Sequence, residues 1–362
     1  MLLFSVLTLG LASAALATPF KRSSSLTVKF STPTTFVNSI EDLTLVAEVT
    51  NIGTEDVKVL KYGTVLDDRL PTRAFAVTKD GVEVPFTGIR IQVSLADADE
   101  TAYTTIPAGK SVTVSHAVAP LFDFASVGAG KFSFETLSTF QVAGIADRVA
   151  SITDLTTVEA ATDAVAIEVT TDVKKRDLPE RNKRAVNICS TSSRKTFIDA
   201  SYYEAKTLAS LGSSYISSRG TGDALYRAYW KTNGASSVTS ILNAVANETS
   251  GSRTYAYIYI YNCLGACGGG VIAYTATATT NIYFCSIFFN EVANGNLCSG
   301  TSVASRNVRG GTTLRELTHA VGRTTDVGYG CAFDQGLSAA QSIRNADNFN
   351  CFTTQVYANT RC

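Results

Sequence analysis

The sequence predicts an α+β protein in two parts, a β-rich N-terminal half and a C-terminal half that opens with helices and continues into strands. Three observations carry this. Apolar residues alternate with period two up to about residue 170. Helical spacing takes over between Phe197 and Val245. All eight cysteines lie at or beyond Cys189. A chain of 362 residues with 45% hydrophobic content supplies a core for each half.

At the N-terminus, Leu2 to Ala17 form an apolar run ending in Ala15-Leu16-Ala17, the small-residue pattern of a signal-peptidase site. The run is too short to span a bilayer, and no later segment reads as a membrane span. Residues 1–17 are expected to be a signal peptide and the protein to be secreted. No basic residue precedes the apolar core; Lys21 and Arg22 follow the expected cut. The formal charge is balanced and only 17% of residues are charged. That leaves no electrostatic case for a nucleic-acid partner.

Strands are expected where Leu26, Val28 and Phe30, and then Leu43, Leu45, Ala47 and Val49, alternate with polar neighbours. Asp80-Gly81 between "AFAV" and "VEVPF" marks a hairpin. "KSVTVSHAV" and "KFSFETL" add strands, with Pro107-Ala108-Gly109 as a turn. Short, evenly spaced strands of this kind point to a small β-sandwich.

The stretch from Lys174 to Arg184 is polar and dense in charge, the composition of exposed chain. It reads as a plain linker or, better, as a processing site after Lys183-Arg184, because the first cysteine follows so closely. Lys21-Arg22 is a weaker dibasic candidate. The expected organisation is a signal peptide (1–17), a β-rich propeptide (18–184) and a mature domain (185–362).

In that domain Phe197, Ala200, Ala205, Leu208 and Leu211 recur at helical spacing, followed by Leu225 and Tyr229, then Val238, Ile241, Leu242 and Val245. "TYAYIYIYNC" places Tyr255, Tyr257, Tyr259 and Tyr261 on one strand face. These tyrosines either line a peptide cleft or, the reading we favour, cover a sheet face. "VIAYT" and "NIYFCSIFF" are expected to continue the sheet, "TTLRELTHAV" to form a helix, and "LSAAQSIRNADNF" to close the chain as another helix. Asn247-Glu248-Thr249 is a glycosylation sequon. An even number of cysteines behind a signal peptide implies disulfides. No paired C-x-x-C units support a zinc ribbon, and composition leaves the connectivity open.

The stretch "TTLRELTHAVG", residues 312–322, carries the chemistry. On a helix, positions 315 and 319 lie one turn apart and face the same way. In H-E-x-x-H two such histidines hold zinc, and the glutamate deprotonates a metal-bound water. Glu316 and His319 stand in register with that pattern, but Arg315 stands where the first histidine belongs. Leu314, Leu317 and Val321 form the opposite, apolar stripe. A guanidinium keeps its proton and offers a metal no lone pair. The chain has only two histidines, and the other, His116, falls in the propeptide.

Downstream, "RTTDVGYG" (Arg323–Gly330) completes a pattern that resembles the deuterolysin family, secreted fungal neutral zinc proteases of the aspzincin type. That family carries H-E-x-x-H followed by G-T-x-D-x-x-Y-G. The resemblance extends to Ala273-Tyr274-Thr275, to Asn345-Ala346-Asp347 and to the order of signal, propeptide and mature domain. It implies a zincin-like, disulfide-bonded metalloprotease domain with one zinc per chain. By position Glu316 matches the general base, His319 and Asp326 match zinc ligands, and Tyr329 matches the residue that polarises the scissile carbonyl. It also implies the pairs Cys189–Cys263, Cys267–Cys285 and Cys298–Cys362, leaving Cys331 to pair with Cys351. Two positions depart from the pattern. Arg323 replaces the glycine before Asp326, and Arg315 replaces a ligand.

A catalytic zinc normally has three protein ligands and a water, so the resemblance implies a metalloendopeptidase whose activity Arg315 impairs or abolishes. The alternative is a secreted pseudoprotease, a pseudoenzyme that binds peptides or a partner protein. A third reading keeps the propeptide bound as inhibitor or chaperone of the second domain. The expected partners are protein or peptide substrates, a binding protein and the protein's own propeptide, with the chain a monomer. Arg315 is expected to pair with Glu316, Asp326 or both, replacing the charge of the metal.

Overall fold

The computed structural model describes residues 25–160, 162–173, 186–187, 191–249, 254–257 and 266–362. Cys189, Cys263, the 1–17 and 174–184 segments and most of the tyrosine-rich stretch lie outside them.

Period-two patterning becomes strand throughout the N-terminal half. In Thr44–Asn51 every second side chain is buried, and the strand lies between Leu26–Ser31 and Ser111–Ala117, antiparallel to both. A second sheet runs in the order Phe36–Ser39, Val165–Asp172, Gly130–Thr136, Phe75–Lys79, Val82–Glu83, and a third in the order Thr156–Glu159, Thr139–Gly144, Val57–Leu60, Tyr103–Ile106. Their inward residues, among them Leu45, Val49, Phe75, Phe132, Phe134, Phe140 and Ile167, share one core. The Asp80-Gly81 hairpin is present, with φ of 52° and 77° at its two central residues, the positive values that match the twist of paired strands. His116 packs in this half and bonds the Val65 carbonyl at 2.9 Å. It is a satisfied core histidine.

The C-terminal half is built on Ser192–Arg219, whose buried stripe includes Ile198, Ala205, Leu208, Ala209 and Ile216. Helices Ala224–Trp230, Ala235–Ala246, Arg309–Gly322 and Ala346–Arg361 pack around a core containing Tyr226, Trp230, Phe284, Phe288, Phe349 and Phe352. Disulfides join Cys267 to Cys285, Cys298 to Cys362 and Cys331 to Cys351. Among the described residues no helix is long and apolar enough to cross a membrane. Asn247 is exposed at the end of the Ala235–Ala246 helix.

Two expected elements differ. "NIYFCSIFF" is strand only over Asn281–Phe284, and Ser286–Asn290 is a 3-10 helix. The Cys267–Cys285 disulfide fixes the chain where the change occurs, and Phe288 turns into the helical core. "LSAAQSIRNADNF" is broken into Ala339–Ser342 and Ala346–Arg361. Asn345 breaks it: its side chain accepts from the Val327 amide at 3.0 Å and donates to Asp334 and Asn348, both at 2.9 Å. Its backbone is extended and forms a bridge with Thr325.

The sheet beside the site crosses the boundary between the halves. Its order is Val186–Asn187, Thr254–Tyr257, Asn281–Phe284, Val271–Ala276 and Ile89–Val93. The last strand comes from the N-terminal half and runs antiparallel to Val271–Ala276, with Ile91 opposite Tyr274 and Gln92 opposite Ala273.

Candidate functional site

The site is carried by the Arg309–Gly322 helix, which is buried from Gly310 to His319. Two glycines let it enter the core. A Cβ at Gly310 would lie 2.3 Å from Asn294 Oδ1, and one at Gly311 would lie 2.3 Å from Asn350 Oδ1. Arg309 ties the first turn to the long helix through Glu204 at 2.7 Å. Leu314 and Leu317 face the hydrophobic core, while Thr312, Arg315, Glu316 and His319 make the polar face. The helix ends at Arg323, which adopts the left-handed conformation at φ 54°. This is the position where the resemblance places glycine, and the turn forms with arginine in it.

Arg315 lies at the centre with its side chain fully buried. It donates from Nη1 to Glu316 Oε1 at 2.7 Å and from Nη2 to Asp326 Oδ1. Nη2 also donates to the Ile91 carbonyl at 3.0 Å. Glu316 receives a second bond on Oε2, from the Thr275 hydroxyl at 2.6 Å. His319 donates from Nδ1 to the Thr324 carbonyl at 2.9 Å, so its Nε2 points at Asp326 Oδ1, 3.2 Å away. Tyr329 lies against the Arg315 guanidinium and donates its hydroxyl to the same Ile91 carbonyl at 3.1 Å. Arg315, Glu316, His319, Asp326 and Tyr329 are therefore gathered in one place, as the sequence leads one to expect.

Electrostatics follow from this arrangement. Burial works against the charge of Arg315, but Asp326 and Glu316 outweigh it and hold the guanidinium protonated beyond its ordinary range. Burial likewise opposes the charge of Asp326, and Arg315 with His319 beside it holds that carboxyl well below the usual carboxylate range. Glu316 is pushed up by burial, against the pull of Arg315 and His319. Burial also raises the Tyr329 phenol, with Asp326 adding to the effect.

This donor set does not fit a catalytic zinc. His319 Nε2 and Asp326 Oδ1 still converge, and the Thr324 bond orients the imidazole as an outer partner orients a ligand. The third direction is filled by a guanidinium bonded to Asp326 itself, a cation without a lone pair. Zinc requires three protein ligands with a water in the fourth position. Here two remain, and Glu316 is engaged by Arg315.

Other members of the site were not evident beforehand. Thr275 lies inside "AYT" and Asp347 inside "NAD", but their partners could not be read from those letters. Asp347 accepts from the Gly330 amide at 2.6 Å and from Arg306. "IRIQV" (Ile89–Val93) has a strand's alternation, but period says nothing of which sheet a strand joins.

A buried helix with E-x-x-H, an aspartate brought alongside by the following turn, and a tyrosine over the centre define a metalloprotease-type arrangement with arginine at the position where H-E-x-x-H has its first histidine. The chain belongs to the deuterolysin metalloprotease (M35) family, whose sequence profile matches residues 1–361. It is 33% identical over 333 residues to a neutral protease 2 homolog of Phaeosphaeria nodorum, covering 86% of this chain and 88% of that one. It is 29% identical over 329 residues to a neutral protease 2 homolog of Colletotrichum graminicola, with the same coverage. Among solved structures it is similar to a zinc peptidase from Grifola frondosa, at 19% identity and a TM-score of 0.33, covering 46% of this chain and 96% of that one.

Proposed function

We propose that this chain is a secreted deuterolysin homologue that has given up zinc-dependent hydrolysis and keeps the peptide cleft as a binding site. The observation that supports it is the Arg315 guanidinium, which bonds both Asp326, the implied ligand, and Glu316, the implied base. Glu316 as base and Tyr329 as polarising group are the roles that family membership implies. The base has no metal-bound water to act on in this arrangement. Tyr329 retains a peptide carbonyl as its partner, which is what a binding cleft needs.

Secretion is part of the proposal. The apolar Leu2–Ala17 run supports it, and so do the three disulfides among the described residues, since such bonds persist in oxidising compartments. The division into signal peptide, propeptide and mature domain at 17 and 184 is proposed with it.

The test is zinc per chain in the purified protein, together with hydrolysis of a denatured protein substrate. The expected result is substoichiometric zinc and no cleavage above background. A protein that holds about one zinc per chain and cleaves overturns the proposal in favour of an active endopeptidase.

A further inference from the structure

We propose that a cavity of about 590 Å³ lined by Arg73, Arg90 and Arg344 binds a small molecule through a carboxylate or phosphate oxyanion. The proposal goes beyond the peptide cleft and stands whether or not the chain holds zinc.

Arg90 is the residue that calls for a ligand. Successive side chains of a strand face opposite sides of its sheet. In Ile89–Val93 the two isoleucines and Val93 join an apolar cluster with Leu60, Val271 and Tyr274, which turns Arg90 and Gln92 to the other face. Gln92 finds a partner there in Thr312, at 3.0 Å. Arg90 does not. Only 6% of it is exposed, its guanidinium lies 4.7 Å from the centre of the Phe86 ring, and its Nε is enclosed without an acceptor.

The carboxylates that line the same cavity are engaged elsewhere or lie at its rim. Asp326 is bonded by Arg315 and faces His319. Glu83 is bonded by Arg73, with Arg344 3.8 Å from its other oxygen. Glu135 is exposed. Burial pulls the Arg90 guanidinium down to about 10, with Asp326 opposing that pull, so the group stays charged near neutrality.

A buried charge is expensive unless it is paired and hydrogen-bonded. Stacking on an aromatic ring satisfies the face of a guanidinium and none of its N–H donors. The partner that completes Arg90 is therefore an anion from outside, and the guanidinium fork matches carboxylate and phosphate oxygens two at a time. Arg73 and Arg344 share one carboxylate, which leaves positive charge in excess beside Arg90. The cavity is of the size that holds small molecules, about 300–1,000 Å³, and exceeds what a lone ion needs. Arg73 and Arg90 come from the N-terminal half and Arg344 from the C-terminal half, so a bound anion ties the halves together.

The experiment titrates the full chain with inorganic phosphate and, separately, with succinate, each against sodium chloride of equal ionic strength. It reads the heat of binding and the melting temperature. The expected result is saturable binding of one anion per chain, with a rise in melting temperature that chloride does not reproduce. Arg90→Met keeps the packing against Phe86 and removes the charge. It should bind at least about tenfold more weakly and lose the anion-dependent rise in melting temperature. Arg344→Gln alters a side chain that is 57% exposed and should weaken binding about threefold. Tighter binding of phosphate names a phosphate ester as the ligand, and tighter binding of succinate names a carboxylic acid. Absence of saturable binding for both probes, or undiminished binding by folded Arg90→Met, overturns the proposal. If Arg90→Met does not fold, undiminished binding by Arg344→Gln overturns it instead.

Discussion

Arg315 and Ile91 are separated by 224 positions in sequence, and the guanidinium of one donates to the carbonyl of the other at 3.0 Å in a buried setting. The residue that stands where the resemblance places a histidine is therefore also the residue that bonds the strand from the other half. A single cation bonds both Glu316 and Asp326 and supplies a donor to a peptide carbonyl.

Replacing Arg315 by methionine keeps most of the volume but leaves Glu316 and Asp326 without their cation. Breaking a buried pair from one side costs about 3–5 kcal/mol. Urea unfolding of Arg315→Met should show a loss of that size. Adding Glu316→Gln and Asp326→Asn should recover a large part of it, because the uncompensated carboxylates are then gone. If Arg315→Met unfolds at the natural midpoint, the guanidinium is not what balances the site.

Arg315→His tests whether the rest of the metal site survives. His319 is already oriented by Thr324, and Asp326 Oδ1 already lies 3.2 Å from its Nε2. The variant should take up about one zinc per chain, measured by elemental analysis after dialysis. Hydrolysis of a denatured protein substrate should appear with it. A metal-free Arg315→His protein would mean that the spacing of the remaining ligands has drifted as well.

Arg323 holds a left-handed backbone at φ 54°, a conformation that costs residues bearing a Cβ about 1–2 kcal/mol. Glycine relieves that strain but adds freedom to the unfolded chain. Arg323→Gly should therefore raise stability by only about 0.5–1 kcal/mol, with the Asp326 position unchanged. A loss of stability would show that the arginine side chain makes a contribution larger than the strain.

Much of this was legible in the letters. The i, i+4 geometry of a helix was enough to place Arg315 on the same inward face as His319, and a buried guanidinium beside two carboxylates has to bond them. The disulfides at Cys267–Cys285, Cys298–Cys362 and Cys331–Cys351 match the pairing that the family resemblance implied. What was not legible was long-range pairing. Ile89–Val93 alternates like any strand of its half, and nothing local marks its partner as Val271–Ala276. Ser286–Asn290 is as apolar as a strand and becomes a 3-10 helix through its place in the helical core. Asn345 breaks a helix because the Val327 and Gly328 amides, Asp334 and Asn348 all meet its side-chain amide, a tertiary fact that composition does not carry.

Glu291 gives the fold a pH dependence of predictable sign. It is buried, bonded to Thr312 with Arg306 as its charged neighbour, and burial pushes it up to about 8. In the unfolded chain a glutamate titrates near 4.3, so between those values the folded protein holds a proton that the unfolded one has released. Stability from this group is complete below the unfolded pKa and drains away as pH rises through the folded value. The melting temperature should therefore fall as pH is raised from about 4.5 to 8. Glu291→Gln, which mimics the protonated form, should flatten that slope and leave the protein more stable than the natural chain at pH 8. The comparison is a pair of thermal melts across that window. An unchanged slope in Glu291→Gln would assign the dependence to other buried carboxyls, of which Glu316 and Asp334 are also raised.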